Sequence, residues 1–198
     1  MNPSSSRYRR LKAGRPRSFS TNVITWRGSS FDINGGYGKI MSAEKVRKYL
    51  EERNMADRIT VHQETIDTVE HAAEQIGCSE AEIAKTLSFI VDEKPVIVVM
   101  AGDGRVNSSK FKGQFHTKPS MIPRERVEEL TGFVPGGVCP FGVSEGIPIW
   151  LDVSMKRFEY VHPAGGDIYT SVKMTPEELE QVTGAAGWCD VCKGWEEA

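Results

Sequence analysis

Two apolar runs, "TLSFIV" (86–91) and "PVIVVMAG" (95–102), are separated only by "DEK". Runs this short, rich in β-branched residues and joined by so tight a turn, predict a pair of strands. One residue disturbs the pair. In "EIAKTLSFIV" (82–91), Lys85 stands before the first apolar run. Side chains alternate across a strand, so positions 85, 87 and 89 share a face. A lysine is thereby aimed to the side of Leu87 and Phe89, which looks buried.

The chain has 198 residues, enough for one domain with a real core. The apolar run "PVIVVMAG" is too short to cross a bilayer, so no membrane partner is expected. Four cysteines in this length do not make a disulfide scaffold. Their use fits a reducing compartment, and a cytoplasmic location is expected.

Charge divides the chain. Residues 1–40 carry eight Lys/Arg against one acid (Asp32), a net +7, which leaves 17 Lys/Arg against 26 acids, a net −9, in residues 41–198. "MNPSSSRYRRLKAGRPRSFSTN" has too little apolar surface to fold alone, and 1–40 is expected to be a disordered basic extension. It has the composition of an organelle-targeting peptide and equally of a basic nucleic-acid-binding arm. The reading favoured here is that the functional chain starts at Met41. "MSAEKVRKYLEE" opens like a mature N-terminus with Ser42 as helix cap, and no amphipathic stripe precedes it.

From Met41 the pattern is regular. Val46, Tyr49 and Leu50 are at helical spacing, and "DRITVHQE" reads as a strand. "TVEHAAEQIG" is a helix ending at Gly77, and "SEAEIAK" opens a helix with the capping box Ser79/Glu82. "NSSKFKGQF" and "PRERVEELTG" read as helices, "IPIWLDVS" and "DIYTSVKM" as strands. "TPEELEQVTG" is a helix with Thr175 as cap, Pro176 at its first position and Glu178 closing the box. Helices and strands do not alternate regularly, so the expected fold is α+β: one domain, 41–198, with a mixed, largely antiparallel sheet flanked by helices.

"TGFVPGGVCPFGVSEGIPIWLD" is the least ordinary stretch. Gly132, Gly136, Gly137, Gly142, Pro135 and Pro140 fall within eleven residues. Glycine permits unusual backbone shapes and proline then fixes them. Such a loop can direct several N–H groups at a carbonyl oxygen, a carboxylate or a phosphate. A plain structural turn is the competing reading, favoured on spacing alone.

Cys139 in this loop would need a histidine base to act as nucleophile, and none is near in sequence. A small residue filling a tight loop is the simpler role. Cys189 and Cys192 form a lone C-x-x-C. A structural zinc needs a second ligand pair, and His62, His71, His116 and His162 are scattered, so no metal and no cofactor are expected.

"IAKTLSFIV…KPVIVVMAGDGRVNSSKFKGQF", "ERVEELTGFVPGGVCPFG", "IPIWLDVSM" and "GGDIYTSVKMTPEEL", in this order, resemble the YbaK/EbsC family, the aminoacyl-tRNA deacylase domain also inserted in bacterial prolyl-tRNA synthetases. The resemblance runs from about Met41 to Cys192, and residues 1–40 have no counterpart in it. It implies trans-editing: hydrolysis of the ester between a wrong amino acid and its tRNA. The expected substrate is tRNA for proline carrying cysteine or alanine.

The family's functional lysine falls on Lys85 and its G-x-x-x-P loop on Gly136, Gly137, Val138, Cys139 and Pro140. Cys139 stands where the family often has serine. On this reading Lys85 meets the terminal phosphate or the oxyanion, the amides of Gly136, Gly137 and Val138 hold the aminoacyl group, and water attacks with help from the neighbouring ribose hydroxyl. The expected partner is the acceptor end of aminoacyl-tRNA, delivered with a synthetase or elongation factor. Arg105, Lys110, Lys112, Lys118, Arg124 and Arg126 supply a local basic run in an otherwise acidic domain. A non-catalytic binding module of the same fold is the alternative, and a thiol redox or metal protein using Cys189 and Cys192 a weaker third.

Overall fold

The computed structural model describes residues 23–26, 29–32 and 37–195, with side chains described over 42–195. The chain divides into two compact units, Met1–Gly35 and Gly36–Ala198. In the first, β1 (Val23–Trp26) pairs antiparallel with β2 (Ser29–Asp32). Of the expected extension 1–40, residues 1–22, 27–28 and 33–36 lie outside the described residues.

In the second unit α1 (Tyr37–Glu51) starts upstream of Met41, so Ser42 lies inside the helix and does not cap it. No proline lies between Tyr37 and Ser42, and the helix extends back through them. Val46 and Leu50 are fully buried, as their spacing requires. β3 (Ile59–Val61) follows, then α2 (Val69–Ile76), which Thr68 caps by accepting from the His71 N–H and Gly77 ends at φ 76°.

The Ser79/Glu82 capping box forms, but the expected helix is a single 3-10 turn, Glu80–Glu82. The chain then passes straight into β4 (Ile83–Val91), because an apolar strand with a ready partner outweighs one local cap. That partner is β5 (Lys94–Ala101), antiparallel across a two-residue turn in which Asp92 and Glu93 have φ 47° and 64°. Two positive values mark the tight turn whose twist matches a hairpin.

β6 (Arg105–Val106) leads to α3 (Ser108–Phe115), capped by the Asn107 side-chain oxygen on the Ser109 and Lys110 N–H groups. A 3-10 turn at Arg124–Arg126 runs into α4 (Val127–Thr131), ended by Gly132. Then come β7 (Ile149–Asp152), β8 (His162–Pro163), β9 (Thr170–Val172) and α5 (Pro176–Thr183), the last with the Thr175/Glu178 box intact. The C-terminal cysteines lie on two further strands, β10 (Gly187–Cys189) and β11 (Cys192–Lys193).

The α+β class holds, with a mixed sheet ordered β10-β7-β5-β4-β8. Within it only the long β4–β5 hairpin is antiparallel; β10–β7, β7–β5 and β4–β8 are parallel. The other antiparallel pairs among the described residues are small ribbons: β1–β2, β3–β9 and β6–β11.

The hairpin separates two apolar clusters. Ala84, Ile97, Val99 and Ala101 face a core with α1, α5 and the glycine-loop residues Phe133, Cys139 and Phe141. Phe89, Val96, Val98 and Met100 face α3 and the two C-terminal cysteines. Burial on both faces explains why the hairpin sequence is so uniformly apolar.

Candidate functional site

Lys85 occupies the third residue of β4, opposite Met100, on the face shared with Leu87 and Phe89. It is half-buried, and its Nζ donates to the Gly102 carbonyl oxygen at 2.8 Å. Burial lowers its pKa below the ordinary lysine value, partly offset by the negative charges of Asp103 and Glu70. One bond to a carbonyl leaves two of three ammonium protons for a ligand.

The acceptor is itself fixed. A Cβ on Gly102 would lie 1.9 Å from the Glu80 carbonyl oxygen, so only glycine fits there. Arg157 holds neighbouring Asp103 with two bonds, 2.7 and 2.9 Å, from one guanidinium nitrogen.

The glycine loop is built on a turn. The Gly137 N–H donates to the Val134 carbonyl oxygen at 2.9 Å, and Gly136 has φ 90°. Proline followed by a positive-φ glycine, closed by this bond, is a type II turn. The turn uses the Gly137 amide, so that N–H is not available to hold an aminoacyl group, contrary to the expectation. Among the described residues, the N–H groups of Gly136, Val138 and Cys139 donate to no protein acceptor. Gly136 is exposed and Val138 half-buried, whereas Cys139 and Pro140 are buried. The Cys139 side chain packs in the core, 3.6 Å from the Phe141 carbonyl oxygen, and burial pushes its thiol up to about 12. A ligand at this position can meet backbone only.

No described hydrogen bond or ring contact joins Lys85 and the loop, and the loop's buried residues belong to the opposite face of the hairpin. They are linked through the β8–β9 connection. Pro163 in β8 pairs with Ala84, next to Lys85. Three residues on, the Gly166 carbonyl oxygen lies 3.2 Å from where a Gly137 Cβ would stand. Gly166 must be glycine, since a Cβ there would lie 2.7 Å from the Ser42 carbonyl oxygen of α1. Farther along β4, Ser88 and Ile90 bond to Ile122 and Ser120. The edge of β4 from Lys85 to Leu87 is therefore left between two covered segments.

A family model for the aminoacyl-tRNA editing domain matches residues 63–182. The chain belongs to the aminoacyl-tRNA editing domain family. Editing domains of this family are aminoacyl-tRNA deacylases, which makes the chain a hydrolase of the aminoacyl ester. It is 40% identical over 157 residues to "Uncharacterized protein YwhH" of Bacillus subtilis, covering 79% of this chain and all of that one. It is 31% identical over 107 residues to a "Proline--tRNA ligase" of Bacillus licheniformis, covering 54% of this chain but 19% of the ligase. The "Crystal structure of a putative trans-editing enzyme for prolyl tRNA synthetase" superposes with a TM-score of 0.70 at 29% identity, covering 77% of this chain and 98% of that one.

The editing domain also brings together residues that looked scattered. Pairing of β3 with β9 sets His62 Nε2 2.8 Å from Ser171 Oγ. His62, His162, Tyr160 and Lys173 line one cleft of about 420 Å³ with the end of α2. Sequence spacing carried no signal for this, because the contact spans 109 residues.

The C-x-x-C behaves differently. Cys189 and Cys192 are both buried, and burial pushes the Cys189 thiol up to about 12 and the Cys192 thiol higher still. Thiolate is the reactive form, so these are packing residues in the editing domain. Among the described residues, no three His, Cys, Asp or Glu side chains converge as a metal set. Among them, no helix is long and apolar enough to cross a membrane.

Proposed function

We propose that the chain clears tRNA for proline of a small non-cognate amino acid, alanine or cysteine, acting in trans in the cytoplasm. What carries the reading is the type II turn of Pro135 and Gly136, which leaves the N–H groups of Gly136, Val138 and Cys139 without protein acceptors. Preset amides are the devices that stabilise charge on a carbonyl oxygen as it develops. The matches to proline--tRNA ligases and to a structure described as editing for prolyl tRNA synthetase support the choice of tRNA.

Water adds to the ester carbonyl carbon, and the loop amides take the oxyanion. The bond from that carbon to the ribose oxygen breaks, and the proton from water passes to the ribose. Free amino acid and uncharged tRNA leave. The neighbouring ribose hydroxyl orients the water. Lys85, its Nζ held on the Gly102 carbonyl oxygen, meets a phosphate of the acceptor end, which need not lie beside the ester. The basic run from Arg105 to Arg126 contacts the rest of the acceptor end weakly, and a synthetase or elongation factor delivers the substrate.

The test is a deacylation panel. The chain is mixed with tRNA for proline charged with alanine, cysteine, serine or proline, and with matched cognate pairs. Release of alanine or cysteine with proline retained is expected. Release of proline, or of nothing, overturns the proposal.

A further inference from the structure

Gly102 takes the Lys85 ammonium, and one short segment braces the residues on either side of it. A 3-10 turn, Val153–Arg157, follows β7 directly, with the Asp152 carboxylate accepting from the Ser154 N–H at 3.0 Å. Ser154 Oγ accepts from the Ala101 N–H at 3.2 Å, just before Gly102. Arg157 binds the Asp103 carboxylate, just after it.

All three guanidinium nitrogens of Arg157 are engaged. Nη2 donates to both Asp103 oxygens, Nε to the Ser154 carbonyl oxygen at 2.9 Å, and Nη1 to the Trp195 carbonyl oxygen at 3.3 Å. The guanidinium also lies 4.7 Å from the Phe158 ring centroid and 5.1 Å from that of Trp195. A planar cation held by such contacts has one position. Both partners of the ion pair are 23% exposed, so water screens it only in part.

The clamp governs a charge beside Lys85. Burial lowers the Lys85 pKa, and the ionisable groups that act on it among the described residues are Cys192, Asp103, Arg105 and Glu70. Glu70 and Arg105 are exposed, and burial keeps Cys192 a neutral thiol. Asp103 is the half-buried anion of the set, and it directly follows the carbonyl that holds Lys85. Freed from Arg157, its carboxylate would pair with the ammonium. We propose that Arg157 is a positioning residue for Lys85: it occupies the Asp103 carboxylate and so leaves the ammonium on a neutral carbonyl, open to a substrate anion. The inference rests on the proposed role of Lys85 at an acceptor-end phosphate.

The test measures kcat and KM on the full chain and follows the Lys85 side-chain carbon by NMR, with Lys85→Ala assigning the signal. Arg157→Gln keeps much of the stem and removes the charge. It is expected to raise the Lys85 pKa, because a nearer carboxylate favours the ammonium. KM for the aminoacyl-tRNA should rise about tenfold, the lower scale for one charged hydrogen bond, with kcat within about twofold. The slope of log KM on log salt should flatten by about 0.7, one phosphate contact on a single strand. Adding Asp103→Asn should reverse all three changes, since a Gln–Asn contact is neutral and no anion is left to compete. Arg157→Lys, with its charge intact, should stay within about threefold of the parent, as should Asp103→Asn alone.

A Lys85 pKa that does not rise in Arg157→Gln overturns the inference. So does a double variant as impaired as the single, which would make the clamp a brace for the turn and nothing more. A tenfold rise of KM in Asp103→Asn alone, a near-isosteric change, would make the carboxylate itself the needed group and overturn it too. Because the titration needs no turnover, a raised Lys85 pKa with unchanged KM would instead sink the role of Lys85 at the phosphate, and the positioning role with it.

Discussion

Lys85 Nζ donates to the Gly102 carbonyl oxygen at 2.8 Å, across 17 residues of chain. The bond holds the amine at the start of β4, while the steric fit of Gly102 and the Arg157–Asp103 pair hold its acceptor. A positive group fixed this way is prepared for an anion before the anion arrives. Lys85→Ala is expected to lower kcat/KM for deacylation by about 10- to 100-fold, mainly through KM, the scale of one lost hydrogen bond between charged groups, about 1.5–3 kcal/mol. Thermal unfolding of the variant should stay close to the parent, because the chain loses one half-exposed hydrogen bond. Normal deacylation by Lys85→Ala would remove Lys85 from the site.

Gly136 offers a cleaner test of the loop. A Cβ there would meet nothing within 4 Å, so Gly136→Ala adds no clash. It does place an L-residue at φ 90°, which costs about 1–2 kcal/mol. Urea unfolding should show that loss, and deacylation should fall by more than the stability change explains as the turn relaxes. Gly166→Ala should be worse for the fold, since its Cβ would sit 2.7 Å from both the Ser42 carbonyl oxygen and a Val46 methyl.

The thiols should sort by burial. Cys139, Cys189 and Cys192 are buried, whereas Cys78 is half-buried. An aromatic disulfide reagent should titrate one thiol in the native chain, at a slow rate because burial raises the Cys78 pKa too, and four after denaturation. Cys189→Ser with Cys192→Ser is expected to leave deacylation within a few-fold of the parent. Rapid native reaction of the C-x-x-C pair would revive a redox role.

Acid should weaken the fold through the cleft. The folded-state pKa values of His62 and His162 lie below the ordinary 6.5, so at mildly acid pH the unfolded chain binds more protons. Their contribution to stability is present above that value and is lost as pH falls from about 6.5 through the folded values. Of the charged groups lining the cleft, Lys173 adds to the His162 shift and Glu82 opposes it; the Glu82 carboxyl, held low by Ser79, titrates only in stronger acid. Tm should drop between pH 7 and pH 5.5, and His162→Gln should make that drop shallower. A Tm flat across this range would contradict the burial of these rings.

Much of the scaffold could be read directly from residue order. Thr68, Asn107 and Thr175 cap helices with their own oxygens, and Gly77, Gly132 and Gly184 end them, as short-range chemistry requires. The β4–β5 hairpin was legible because two apolar runs with a tight turn have few other ways to bury themselves. Local signals misled where a stronger distant partner existed. The Ser79/Glu82 box promised a helix, and pairing with β5 turned the chain into a strand after one turn. Ser42 looked like a cap, and the helix simply began earlier.

The sequence by itself determined the family, the hairpin, the lysine at its start and the proline–glycine turn, because each rests on residues close along the chain. Tertiary structure decided which loop amides stay open, that the Cys139 thiol faces the core, and that Lys85 and the glycine loop lie on opposite faces of one hairpin, bridged by Pro163 to Gly166. It alone set His62 against Ser171 and gathered the cleft. The reason is physical: pairing of β3 with β9 brings together residues 109 apart, and that pairing is settled by burial over the whole domain.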